Sequence, residues 1–221
     1  MSTGVLSIAA EDSIQKAIRL QKENSIHILP VIEKEKLVGV VTDRDIKRAS
    51  MSDTIPLDIN EAAYLASKIK VKDVMTPHPF TVPPDHTVEE AAGLLLKCGI
   101  SSAPVVDKEG KIVGIITRSD ALRVLISLTG GNKLGYLFAF RVEDKPGSVT
   151  KVVNLIREHG GRTASILSTD QNTASNYRNV YIRVYDMPPE TFQLFLKQLK
   201  EIVTVRYVID FILNKREIFE S

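Results

Sequence analysis

Gly39-Val40-Val41-Thr42-Asp43-Arg44-Asp45 and Gly114-Ile115-Ile116-Thr117-Arg118-Ser119-Asp120 are two versions of one phrase. Each has a glycine, two β-branched apolar residues, then a threonine with an aspartate three positions on. The β-branched pair reads as the end of a buried strand. Thr-x-x-Asp reads as the start of a helix, with Thr as cap and an acid suited to the positive end of the helix dipole. Upstream, each residue from Met1 to Val31 has a counterpart 74 positions later, in Met75 to Val105. Met1/Met75, Ala17/Ala91, Leu20/Leu94, Ile26/Ile100, Pro30/Pro104 and Val31/Val105 are identical. After a one-residue slip between the charged turns EKEK and DKEGK, the register resumes at Val38/Val113, Gly39/Gly114, Thr42/Thr117 and Asp45/Asp120. The chain therefore carries one supersecondary unit twice.

In each copy a short extended piece, VLSI or FTV, leads into apolar residues at helical spacing. These are Ile14-Ala17-Ile18 in the first copy and Val88-Ala91-Ala92-Leu95 in the second. Gly99 is placed to close the second helix. Two apolar strands around a charged turn follow, then a final helix. A unit of roughly 60 residues is marginal alone, so the two copies are expected to bury their sheets against each other. Residues 1–50 form the first copy, 51–70 a linker with turn signals at Ser52-Asp53 and Pro56 and a helical run AAYLASKI, and 71–130 the second copy. VKDV precedes Met75 but nothing precedes Met1, so the first copy is expected to lack its lead-in strand.

The helix ALRVLISL should stop at Gly130-Gly131, after which the pattern changes. Residues 133–210 read as strand, helix, strand, strand, helix, strand, the split ferredoxin-like order with an antiparallel sheet and two helices on one face. Val149, Val152, Val153 and Ile156 make the stripe of its first helix, and Phe192, Phe195, Leu196 and Leu199 that of its second. Residues 211–221 are left as a tail.

With 43% apolar and 25% charged residues, the 221-residue chain has a globular composition, and its order of strands and helices is of mixed α/β class. A net charge of +2 gives no basic field for nucleic acid or an anionic membrane. The apolar runs are broken well short of the roughly 18 residues of a membrane span, and no secretory signal is visible. Cys98 is the only cysteine, which excludes an internal disulfide and thiolate zinc sites and fits a cytoplasmic setting. His27, His78, His86 and His159 show no ligand spacing with one another, and no metal site is expected. No nucleophile triad, Walker loop or carboxylate pair stands out, so the chain is not read as an enzyme.

The doubled Gly-x-x-Thr-x-x-Asp phrase in matched register resembles tandem CBS domains, the nucleotide-sensing pair of cystathionine β-synthase type. The third segment, with its DKPGS turn before a helix, resembles an ACT domain, and the order of the segments is similar to the acetoin-utilisation protein B-like bacterial regulators. The resemblance implies a pseudo-twofold pair with two clefts. One would combine Thr42, Arg44 and Asp45 with Pro79 and Phe80 and with Ile100, Ser101 and Ser102. The other would combine Thr117, Ser119 and Asp120 with Val5, Ile26, His27 and Ile28. The chemistry suits AMP, ADP, ATP or S-adenosylmethionine, because a carboxylate accepts from ribose hydroxyls, Thr and a helix N-terminus donate to phosphate, and apolar side chains sandwich adenine. A helix cap alone is the competing reading of Thr-x-x-Asp. Arg44 could reach a phosphate or pair with a surface acid, and its counterpart Ser119 is short and neutral, so the clefts should differ in phosphate preference.

The ACT resemblance implies a small effector, often an amino acid, at Asp144, Lys145, Pro146, Gly147 and Ser148. The competing reading is turn chemistry, with Ser148 as helix cap. The resulting expectation is a regulatory protein acting through an unknown partner protein, as a homodimer, with no nucleic acid or membrane partner. The alternative is a scaffold that works through protein contacts alone.

Overall fold

The computed structural model describes residues 3–50 and 67–219. The turn signals at Ser52-Asp53 and Pro56 and most of AAYLASKI lie outside them. The chain divides into two compact units, Met1–Leu122 and Arg123–Ser221, so the division falls earlier than the Gly130-Gly131 stop.

In the first unit, the first repeat comprises β1 (Ile8–Ala9), α1 (Ile14–Asn24), β2 (Ile28–Glu33), β3 (Lys36–Thr42) and α2 (Asp43–Ser50). A 3-10 turn at Val71–Asp73 and β4 (Thr76–Pro77) lead into the second repeat. Its elements are α3 (Val88–Lys97), β5 (Ser102–Val106), β6 (Ile112–Thr117) and α4 (Arg118–Leu128), the last running into the second unit. The register of the repeats extends to their details. Ser13 caps α1 by accepting from the Lys16 amide, and Thr87, 74 residues on, caps α3 with the reciprocal Glu90 of a capping box. Both hairpins carry a bulge at the same place, Val31/Ile32 and Val105/Val106. Helix α1 ends at Ser25 with φ 53°, where the second copy has Gly99 at φ 66°.

Each repeat has its own core. Ile8, Ile14, Ala17, Leu29, Val31 and Val41 fill the first, and Val82, Ala91, Leu95, Ala103, Val105 and Ile116 the second. At the position of Leu95 the first copy has Gln21, buried and donating through Nε2 to the Val41 carbonyl at 3.4 Å.

VKDV, read in the sequence as the lead-in of the second copy, packs on the first. Val71 is fully buried in the first core, its amide donates to the Asp12 carbonyl at 2.8 Å, and the Lys72 amide donates to the Ala10 carbonyl at 3.0 Å. Lys70 and Lys72 both pair with Glu11, Lys72 at 2.6 Å. These two ammonium groups hold the Glu11 carboxyl down at about 2, against an ordinary value of 4.5. β4 then adds antiparallel to β3, giving the sheet β1-β2-β3-β4. Gly39 permits this approach, because a Cβ there would meet Met75 Sδ at 2.5 Å and the Thr76 carbonyl oxygen at 3.1 Å.

In the second unit β7 (Tyr136–Glu143), α5 (Ser148–Glu158), β8 (Arg162–Thr169), β9 (Tyr177–Tyr185), α6 (Pro189–Ile202) and β10 (Thr204–Asp210) follow in the expected order. The strands pair antiparallel as β10-β7-β9-β8. Alternate residues of β7 and β9, including Phe138, Phe140, Val180 and Ile182, pack under Val152 and Ile156 of α5 and Phe195 and Leu199 of α6. The tail does have structure: Lys215–Ile218 forms β11, which extends the sheet beyond β10.

Candidate functional site

Where β3 ends, Thr42 and Asp45 clasp each other across the first turn of α2. The Thr42 amide and hydroxyl donate to Asp45 Oδ2 at 2.9 and 2.6 Å, and the Asp45 amide donates back to Thr42 Oγ1 at 3.4 Å. The same clasp joins Thr117 and Asp120 at 2.9, 2.8 and 3.0 Å. Capping is therefore a real use of both motifs. It occupies one oxygen of Asp45 and leaves Oδ1 without a hydrogen-bond partner among the described residues.

Thr42 and Asp45 line a cavity of about 570 Å³, a volume in the usual range for small-molecule sites. The other residues assigned to this cleft are there too. Arg44 and the wall residues Pro79 and Phe80 line it, as do Ile100, Ser101 and Ser102 of the second repeat. Phe80 is 59% exposed, which leaves a ring face free for stacking. Sequence reasoning missed Asp43, Arg48 and Arg118, which also line the cavity. Arg48 could have been found, since it lies one helical turn after Arg44. His78 lines the cavity as well, with a left-handed φ of 47°.

Residues of the second set line several of the described spaces. His27 and Ile28 line the first cavity, with His27 Nδ1 2.7 Å from Asp43 Oδ2. Ile26 lies in a separate groove of about 460 Å³ between α1 and α2, to which His27 also contributes. Val5 lines a third space with Ile32, Lys111 and Ile112. Thr117 and Asp120 are joined by their clasp, and Ser119 beside them is exposed.

Residues 1–52 and 71–127 match the CBS domain. A CBS domain-containing protein of Dictyostelium discoideum is 33% identical over 129 residues, covering 58% of this chain and 89% of its own length. The chain belongs to the CBS-domain family. Among solved structures, a Methanocaldococcus jannaschii protein shares the fold at a TM-score of 0.50, with 22% identity over 57% of this chain and 45% of that one. The structure of CBSX2 in complex with AMP is 36% identical over 56% of this chain and 88% of that one, with a TM-score of 0.46.

Outside the CBS pair, the DKPGS turn places Gly147 at φ 84° as the residue before α5. Ser148 is the first residue of the helix, and no side chain caps it, which corrects the reading of Ser148 as cap. Asp144 is held by Arg178 in a two-pronged pair at 3.0 and 3.2 Å, and Lys145 pairs with Glu143 at 2.6 Å. Pro146 precedes the glycine, whose missing Cβ would meet nothing within 4 Å. The Ser148 amide donates to the Lys145 carbonyl at 3.2 Å, and the space beside Gly147 is open.

Proposed function

We propose that this chain is a regulatory protein whose CBS pair senses an adenine nucleotide, namely AMP, ADP, ATP or S-adenosylmethionine. The observation that carries this reading is the cavity of about 570 Å³ drawn from both repeats, with the Thr42–Asp45 clasp on one wall and Phe80 and Ser101 on the others. Asp45 Oδ1 accepts from the ribose hydroxyls, Phe80 stacks on the base, and guanidinium and hydroxyl groups receive phosphate. Because the site takes residues from both copies, a bound nucleotide favours the arrangement in which they close together. A calorimetric panel of the four compounds tests it, and no heat from any of them at millimolar concentration would refute it.

The strand order β10-β7-β9-β8 supports reading the second unit as a ferredoxin-like ACT domain. Its uncapped α5 N-terminus at Asp144–Ser148 suits the carboxylate of a small effector such as an amino acid. The protein acts in the cytoplasm through a regulated partner protein, and a role in acetoin utilisation follows the family resemblance. The second cleft, at Thr117, Ser119 and Asp120, is the weaker of the two.

The scaffold reading draws on α4, in which no residue is buried while Leu122, Leu125, Ile126 and Leu128 stand exposed. A second copy covers this apolar face in a homodimer. Light scattering at micromolar concentration should give the dimer mass, and Leu125→Glu should shift it to monomer.

A further inference from the structure

We propose that the CBS cavity reads the length of a phosphate chain, taking a nucleoside di- or triphosphate in preference to a monophosphate, and that Arg118 is the residue that sets this preference. The inference rests on the nucleotide reading of the cavity and names the ligand class within it.

Three guanidinium groups line the cavity, Arg44 and Arg48 from the first repeat and Arg118 from the second. Arg44 and Arg48 stand one turn apart and so share a face of α2. None of the three has a carboxylate within 4 Å among the described residues, although two acids line the same space. Each acid has one oxygen engaged, Asp45 Oδ2 by Thr42 and Asp43 Oδ2 by His27 at 2.7 Å, and both keep their charge, so three cations face two carboxylates. The cations outnumber the acids around this one cavity, and an anion is the ligand that the surplus positive charge attracts.

Arg118 differs from the other two. Its Nη2 donates to the Leu95 carbonyl at 3.3 Å, which steadies the planar fork, while Nη1 and Nε have no hydrogen-bond partner among the described residues. It also reaches the cavity from the opposite repeat. A phosphate monoester carries about two negative charges, which Arg44 and Arg48 can match from a single helix. A longer chain brings further charge and the reach to span from α2 to Arg118. The arrangement is not part of the repeat pattern, because the counterparts of Arg118 and Arg44 in the other copy are Asp43 and Ser119. The repeats share the clasp, while neither Arg44 nor Arg118 has an arginine as its counterpart.

The test is calorimetry at fixed salt with adenosine, AMP, ADP and ATP on wild type, Arg118→Gln and Arg118→Lys, the fold of each checked by thermal melting. Wild type should bind ATP at least about 10-fold more tightly than AMP. Arg118→Gln should weaken ATP on the order of 10- to 100-fold and leave AMP nearly unchanged, with partial recovery in Arg118→Lys. Equal affinities for AMP and ATP in wild type, or a gap that survives in Arg118→Gln, would overturn the proposal while leaving nucleotide binding in place. If no nucleoside compound binds, the nucleotide reading fails, and inorganic tripolyphosphate then decides the rest. Tripolyphosphate binding lost in Arg118→Gln would sustain Arg118 as the reader of a polyphosphate chain, and no binding would overturn it.

Discussion

Thr42 and Asp45 hold each other through three hydrogen bonds, two of them ending on the same carboxylate oxygen, Asp45 Oδ2. That geometry lets one aspartate serve as helix cap and as ligand group at once. Asp45→Ala should cost about 1 kcal/mol of stability from the lost cap and about 10- to 100-fold in nucleotide affinity. Asp45→Asn keeps an acceptor for Thr42 and should retain stability while still weakening binding. Unchanged affinity in both folded variants would reduce Asp45 to a cap.

The two clasps should not be equivalent in binding. The Asp45 clasp faces a cavity built from both repeats, whereas the residues assigned beside Asp120 are spread over several spaces. Ordering extra backbone to complete a site costs about 1–2 kcal/mol per residue. Titration of Asp45→Ala against Asp120→Ala should show the tighter site lost in the first, and the opposite result would contradict the assignment of the stronger cleft.

Gly39 should not tolerate a side chain. A Cβ would press on Met75 and on the Thr76 carbonyl, forcing β4 from β3. Overpacking of this kind costs about 1–3 kcal/mol, so Gly39→Val should lower the urea midpoint accordingly.

Ser25 holds a left-handed φ of 53° that glycine adopts freely, as Gly99 does in the second copy. Removing that backbone strain, less the extra flexibility glycine brings to the unfolded chain, should make Ser25→Gly more stable by about 0.5–1 kcal/mol. A melting temperature below that of wild type would count against it.

Acid should loosen the segment that joins the repeats. Glu11, held near 2 by Lys70 and Lys72, is ionised in the folded protein at pH values where the unfolded chain has taken up a proton. Its contribution is complete above an ordinary carboxyl pKa of 4.5 and is lost as pH falls toward about 2. Denaturation curves from pH 6 to 2 should show this loss in wild type and a shallower acid limb in Glu11→Gln. Both partners are exposed, so salt should blunt the difference.

Local signals were legible in the sequence because they arise from short-range chemistry. The spacing of Thr42 and Asp45 predicts their clasp, and Gly99 predicts a helix end. The grouping of the first cleft's residues came from the family resemblance rather than from the residues alone, and those residues line one cavity. Partner choice across the chain was not legible. VKDV has the same local sequence whether it serves the repeat it precedes or the one before it, and only burial of Val71 in the first core decides the matter.

Sequence by itself determined the doubled unit, the capping motifs, the element order of both units and the absence of a pairing cysteine, each of which depends on residues close together in the chain or on composition. Tertiary structure alone decided that Arg118 joins Arg44 and Arg48 at one cavity, that VKDV packs on the first repeat, and that the tail becomes a fifth strand. The physical reason is common to all three. Each depends on which surfaces are buried against each other at long sequence separation, a choice made by the packing of whole strands and helices that no local pattern records.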